Sequence, residues 1–264
     1  MTRVAVVGLG AMGSRIAQRL LDADHQVVVW NRSPKEFPAP FAASPRAAAE
    51  RSEVVITMVA DPDALRAVTE GGDGVLAGLR GTLVEMSTVG PAAIAQLAKR
   101  TSHLVDAPVL GSVGEAEAGT LTIFAGGDVS PVRAVLEQLG TVLEVGPVGA
   151  GAAAKLVANS TLFGVLTALG ESVALGRALV LDEETLFEVL AASPLAAQAE
   201  RRRAVLQGEP SPPRFPVRLA AKDAELILAA SELELPALRA AADWLARTAD
   251  ENADYTAVLR TIAP

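Results

Sequence analysis

The 264-residue chain has no cysteine, which excludes a disulfide framework, thiolate zinc sites, iron–sulfur clusters and cysteine nucleophiles at once. Histidine is nearly as scarce. With only His25 and His103 a histidine-rich metal centre is excluded, and no metal is expected. Aromatic residues make up 3% and hydrophobic residues 50%, so the core has to be built from Ala, Val and Leu. Basic residues fall short of acidic ones, 23 against 31, and the formal charge of -8 repels phosphate backbones, which argues against nucleic acid as a partner. Long uninterrupted apolar runs are missing too. The apolar start Val4 to Val7 ends at Gly8 and is followed by Arg15, Arg19 and Asp22, which no secretory signal would carry. The most apolar long stretch, Gly149 to Gly170, holds Lys155 and Asn159, which a membrane span would exclude. The expectation is a cytoplasmic protein with no membrane partner.

What is present is an alternation. Short β-type runs at Arg3–Val7, Gln26–Trp30, Val54–Val59, Thr82–Met86, Leu104–Asp106 and Leu121–Phe124 alternate with helical patterns such as Ala11–Leu21. Near-continuous apolar strands separated by helices predict a parallel sheet covered on both faces. From Gly149 onward the periodicity is helical throughout, over 149–180, 182–192, 194–206, 216–231 and 236–250. The reading is an α/β protein: a doubly wound nucleotide-binding domain over 1–148, then an all-helical domain over 149–264, with the join at the loosened GPVGAG run. The segment 31–50 carries Pro34, Pro38, Pro40 and Pro45, so a loop and a short helix over 45–51 replace the full helix that would follow a second strand.

Gly8-Leu9-Gly10-Ala11-Met12-Gly13 matches G-x-G-x-x-G between a predicted strand and a predicted helix, the context that makes the pattern specific for a dinucleotide. Gly8 permits the tight turn, Gly10 admits the pyrophosphate to the backbone, Gly13 lets helix and sheet pack, and the helix start supplies N–H donors. At the end of the second strand, where an acidic residue would hold a ribose 2′-OH, the chain reads Trp30-Asn31-Arg32-Ser33. No carboxylate repels a 2′-phosphate there, Arg32 offers a planar fork and Ser33 a hydroxyl, so NADP(H) is expected in preference to NAD(H).

Lys155 and Asn159 are spaced i, i+4 and share a face of a helix over 149–180. Two polar residues in so apolar a segment are costly unless paired. Catalysis would explain them, with the ammonium protonating a developing alkoxide and the amide orienting a hydroxyl or carbonyl. A lysine snorkelling at a helix end would explain the first equally well, and spacing alone leaves both readings open.

Gly8 to Gly13, the segment Asp106-Ala107-Pro108-Val109-Leu110-Gly111-Ser112, the run Gly149 to Asn159, and Lys222-Asp223 together resemble the β-hydroxyacid dehydrogenases, a family that includes 3-hydroxyisobutyrate dehydrogenases and glyoxylate/succinic semialdehyde reductases. The resemblance covers nearly the whole chain in order. It implies a Rossmann domain, a helical domain and a cleft between them, with Lys155 as catalytic lysine and Asn159 as its supporting amide. It also implies that Met58, Val59 and Thr88 lie near the nicotinamide and its ribose, that Lys222 closes on the cofactor, and that Phe215 lines the pocket. The substrate would be a small hydroxyacid, semialdehyde or 2-oxoacid. The resemblance further implies a homodimer or homotetramer, and the Ala/Leu surface of the helical half, with Gly164, Ala168 and Gly170 open to another helix, points the same way.

One departure bears on the substrate. Leu110 stands where the family usually has a serine that helps bind the substrate carboxylate, which leaves the backbone N–H groups around Gly111 and Ser112, with the Ser112 hydroxyl, as the expected substrate contacts. Two other functions compete with the dehydrogenase reading: imine reduction, favoured by the apolar Leu110 and opposed by Lys155, and a non-catalytic NADP-binding regulatory protein, opposed by the intact Lys155 and Asn159.

Overall fold

Runs of Val, Ile and Leu bounded by turns form the strands of the first part of the chain. In the computed structural model, which describes residues 1–264, they belong to a unit spanning Met1–Leu156, and a second unit spans Val157–Pro264. The first unit contains, in order, β1 (Arg3–Val7), α1 (Ala11–Asp22), β2 (Gln26–Trp30), α2 (Pro45–Ala49), β3 (Val54–Thr57), α3 (Pro62–Thr69), α4 (Val75–Gly78), β4 (Thr82–Glu85), α5 (Gly90–Ala98), β5 (Leu104–Asp106), β6 (Val109–Leu110), α6 (Val113–Ala118), β7 (Leu121–Gly126), α7 (Arg133–Leu136) and β8 (Gly140–Gly146). The strand order is β2-β1-β3-β4-β5-β7-β6, with β8 paired to β7. Local chemistry starts the helices: Asp61 accepts the Ala64 N–H at 2.7 Å ahead of Pro62, and Ser44 accepts the Ala47 N–H at 3.1 Å ahead of Pro45.

Both faces of this sheet are buried. One packs Val4, Val6, Ile56, Val84 and Val105 with Ile16 and Leu20 of α1, and the other packs Ala5, Val7, Val55, Leu83 and Leu104 with Leu65, Ile94 and Ala152. The doubly wound expectation holds, with one correction: the sheet is mixed, not wholly parallel. Strands β1 to β5 are parallel, but β7 runs antiparallel to β5 and β6, and β8 runs parallel to β7. A parallel return needs a crossover of a dozen or more residues, and the link from Leu110 to Leu121 holds only α6. Strands β6 and β8 were not expected. The first has two residues, and β8 is mostly exposed, so neither carries the apolar run that marks a buried strand. The proline-rich segment forms the expected loop and short helix. It runs beside β2, where Val29 donates to the Pro40 carbonyl and accepts from the Ala42 N–H, each at 2.9 Å.

Helix α8 (Ala150–Ala178) begins in the first unit and continues into the second, which adds α9 (Glu183–Ala191), α10 (Ala196–Leu206), α11 (Val217–Ala229), α12 (Pro236–Arg247) and α13 (Val258–Ile262). Within the second unit Phe163, Leu166 and Thr167 of α8 meet Ala241 and Leu245 of α12 and Val258 of α13. Glycines set the approach distances. A Cβ at Gly170 would lie 2.8 Å from Ile262, and one at Gly176 would lie 2.5 Å from Leu186. Gly170 therefore serves packing within the chain, against the expectation that it receives another copy's helix, whereas Gly164 has open space beside it and Ala168 is exposed.

Candidate active site

The Gly8–Gly13 turn joins β1 to α1 as expected, and each glycine has a distinct steric reason. Gly8 has φ +104°, and a Cβ there would stand 2.3 Å from the Met58 carbonyl oxygen; a Cβ on Gly13 would stand 2.0 Å from the Gly8 carbonyl oxygen. Gly10 faces open space with no atom within 4 Å of a built Cβ. Backbone bare of side chains at the start of α1, with room in front of it, fits the pyrophosphate of a dinucleotide. Ala11 and Met12 open α1, and Leu9 is buried.

The other loops leaving the same sheet edge are tied to this turn or to one another. The Met58 N–H bonds the Val7 carbonyl at 3.0 Å, and the Val59 N–H donates to Ser87 Oγ at 2.8 Å. The Ser87 N–H in turn donates to Glu85 Oε1 at 2.9 Å. Met58, Val59 and half-buried Thr88 thus lie on adjoining connections at the carboxyl edge of the strands, where open α/β sheets bind their ligands. Past β2, Arg32 and Ser33 are exposed, while the Asn31 amide accepts the Leu9 N–H at 2.9 Å.

Asp106 ends β5 in register with Glu85, and it is fully buried. Its two carboxylate oxygens each accept one N–H from the start of α8, from Gly149 and from Ala152, both at 2.7 Å. Burial pushes the Asp106 carboxyl above the usual carboxylate range, and these N–H bonds pull it back only in part. The glycines around it have no room for side chains: a Cβ at Gly126 would meet Asp106 Oδ1 at 2.5 Å and one at Gly151 the Asp106 carbonyl oxygen at 2.5 Å. Asp106 thereby anchors the helix that presents Lys155, about one turn beyond Ala152, and Lys155 is buried.

Four residues beyond Lys155 on α8, Asn159 is 1% exposed and donates from Nδ2 to Asp223 Oδ2 at 2.8 Å. Asp223 lies on α11, 2% exposed, and its other oxygen stands 2.7 Å from the ammonium of Lys222. With its nitrogen held this way, the Asn159 amide directs its carbonyl oxygen as an acceptor. Half-buried Phe215 packs on Tyr255, with ring centroids 5.4 Å apart. Tyr255 OH accepts from Arg202 at 2.6 Å.

In the Leu110–Ser112 segment, Leu110 is 40% exposed and Gly111 has φ +133°, which suits glycine alone. The Ser112 N–H, expected among the substrate contacts, donates to Glu115 Oε2 at 2.8 Å. Reasoning from sequence assigned no role to Glu85, Ser87, Asp106, Glu115 or Asp223. A signal for Asp223 existed: it occupies the apolar stripe Val217, Ala220, Ala224, Ile227 of α11, where a carboxylate has to be paired. A signal for Glu115 existed too: a glutamate three residues after a serine at a helix start is the capping-box spacing, in which the carboxylate accepts the serine N–H.

Residues 3–149 match the family model for the NAD binding domain of 6-phosphogluconate dehydrogenase, and residues 149–262 match that for the NAD-binding of NADP-dependent 3-hydroxyisobutyrate dehydrogenase. The chain is 38% identical over 207 residues to the 3-hydroxyisobutyrate dehydrogenase of Pseudomonas aeruginosa, covering 72% of this chain and 69% of that one. It is 33% identical over 250 residues to the uncharacterized oxidoreductase YfjR of Bacillus subtilis, covering 87% of each. Among solved structures, the 3-hydroxyisobutyrate dehydrogenase of Mycobacterium tuberculosis, described with L-serine, matches with a TM-score of 0.86 at 28% identity over 100% of both chains. With both family models matched in order along nearly its whole length, the chain belongs to the β-hydroxyacid dehydrogenase family, the NAD(P)-dependent oxidoreductases acting on CH–OH groups.

Proposed function

We propose that the protein is an NADP(H)-dependent reductase or dehydrogenase of a small hydroxyacid, semialdehyde or 2-oxoacid, with Lys155 as general acid and base. The observation that carries this reading is the anchoring of α8 by Asp106, which ties the helix bearing a buried lysine to the carboxyl edge of the sheet whose first turn is open at Gly10. The L-serine described with the Mycobacterium tuberculosis relative is itself a small β-hydroxyacid, which supports the substrate class. A nicotinamide nucleotide held at the Gly8–Gly13 turn would supply or accept the hydride. In the reducing direction the Lys155 ammonium donates a proton from Nζ to the forming alkoxide; in the oxidising direction its neutral amine takes the hydroxyl proton. Asn159, oriented by Asp223, accepts a hydrogen bond and holds the reacting hydroxyl toward Nζ. Arg32 and Ser33, with no acidic residue beside them at the end of β2, favour the 2′-phosphate of NADP(H).

Initial rates with NADPH and NADH against glyoxylate, succinic semialdehyde, 2-oxoacids and cyclic imines test the reading. Carbonyl turnover with NADPH is expected. Turnover of an imine with no carbonyl reduced would replace carbonyl by imine reduction, and nucleotide binding with no turnover would make the protein a regulatory binder. The assembly proposed is a homodimer or homotetramer formed through the helical unit, in the cytoplasm. Its support is the row of exposed apolar side chains along α8 and just beyond it: Val157, Leu175, Leu179 and Val180, 66%, 60%, 65% and 88% exposed.

A further inference from the structure

Both polar groups of the Leu9 backbone are taken by side chains from the loop after β2. The Leu9 N–H donates to Asn31 Oδ1 at 2.9 Å, and the Leu9 carbonyl accepts from Lys35 Nζ at 2.6 Å. The same Asn31 amide donates from Nδ2 to the Ser33 carbonyl at 2.9 Å, and the Gly8 N–H bonds the Trp30 carbonyl at 2.8 Å. Farther along, the loop is fastened to β2 through Pro40 and Ala42. One planar group therefore bridges the glycine turn and the Arg32-Ser33 loop, and a second residue of that loop holds the turn from its other side.

We propose that Asn31 and Lys35 are positioning residues that grip Leu9, making the pyrophosphate turn and the Arg32-Ser33 loop a single hydrogen-bonded unit. The physical reason lies in the peptide plane. A trans peptide sets its C=O and the following N–H on opposite sides, so holding the Leu9 oxygen fixes the direction in which the Gly10 N–H points. Asparagine is the residue that fits position 31. A carboxylate would accept the Leu9 N–H but could not donate to the Ser33 carbonyl, and a hydrocarbon would do neither. The Leu9 N–H, being engaged, is removed from the set of phosphate donors. Arg32 and Ser33 remain as the side chains that meet a 2′-phosphate, and their placement depends on the turn that meets the pyrophosphate. This inference rests on the nucleotide reading of the Gly8–Gly13 turn and goes beyond it.

The test is equilibrium binding of NADPH and NADH to the full-length protein, followed by nicotinamide fluorescence, with kcat at saturating nucleotide as a second readout. Asn31→Leu and Lys35→Met are expected to weaken both nucleotides by a similar factor, about tenfold for a lost charged or bridging hydrogen bond, with kcat unchanged. Asn31→Asp is expected to bind NADH close to the parental level, because its carboxylate still accepts the Leu9 N–H, while NADPH binding stays weakened by the added negative charge. Lys35→Met, which removes only the bond to the Leu9 carbonyl, carries the test if Asn31→Leu fails to fold. Loss of NADPH affinity alone in Lys35→Met and Asn31→Leu, with NADH untouched, would show that these side chains are phosphate ligands and overturn the positioning role. Parental affinity for both nucleotides in both variants would overturn it as well. A parent protein that binds neither nucleotide would instead remove the nucleotide reading on which the inference stands.

Discussion

At the scale of single residues the site is a set of polar groups buried where the core would otherwise be hydrocarbon, and each can be tested by what its loss does to rate or to affinity. Lys155→Met is expected to reduce kcat about 10²–10⁴-fold while nucleotide affinity, followed by fluorescence titration, stays at the parental level. A parental rate would make the lysine structural. Asn159→Ala should cost less, and the double variant should fall no further than Lys155→Met alone, because the proposed mechanism has both groups acting on one oxygen. Asp223→Asn keeps the volume and one acceptor oxygen but loses the charge and the second oxygen, so it can no longer accept from Asn159 Nδ2 and pair with Lys222 at once, and a drop in kcat of about tenfold or more is expected from a residue that need not touch the substrate. Arg32→Ala should raise the KM for NADPH and leave that for NADH alone; a parent protein that prefers NADH would defeat the cofactor assignment.

Among the elements, α8 depends most on a single remote side chain. Asp106 reaches it across 43 and 46 residues of sequence to satisfy two N–H groups at its start. Asp106→Ala would leave both donors buried or poorly solvated and is expected to destabilise the protein by about 2–4 kcal/mol in urea unfolding. The pH dependence follows from the raised carboxyl. An acid whose folded-state pKa lies above its unfolded value is penalised when ionised, so its unfavourable contribution is full above the folded pKa and fades as pH falls toward the unfolded value. Relative to Asp106→Asn, which does not titrate, the parent protein should therefore gain stability as pH is lowered from neutral toward 4, the ordinary aspartate range. A stability difference that stays constant or reverses over that window would show that the two N–H bonds outweigh burial.

For the whole molecule, the exposed leucines of α8 and the turn after it are what solvent would have to cover if the chain stood alone. Light scattering is expected to give twice or four times the chain mass at micromolar concentration, and Leu175→Glu with Leu179→Glu is expected to shift that mass toward the monomer. A parent protein that scatters as a monomer would end the assembly proposal.

The nucleotide turn, the change from alternating to all-helical architecture and the proline-rich loop were legible in the chain because each depends on local chemistry: glycines at a close approach, strand and helix periodicities, and a ring that fixes φ. Lys155 and Asn159 stood out for a related reason, as polar residues in an apolar helix. What only tertiary structure decided is which groups those residues meet. The Asp106 bonds to α8 and the Asn159 bond to Asp223 are choices among partners that composition and spacing do not rank. The mixed strand order after β5 was hidden likewise, because a two-residue strand and an exposed edge strand carry too little buried surface to write a pattern into the sequence. Local preference is encoded residue by residue, whereas the pairing of buried polar groups emerges only once packing has removed water as the competing partner.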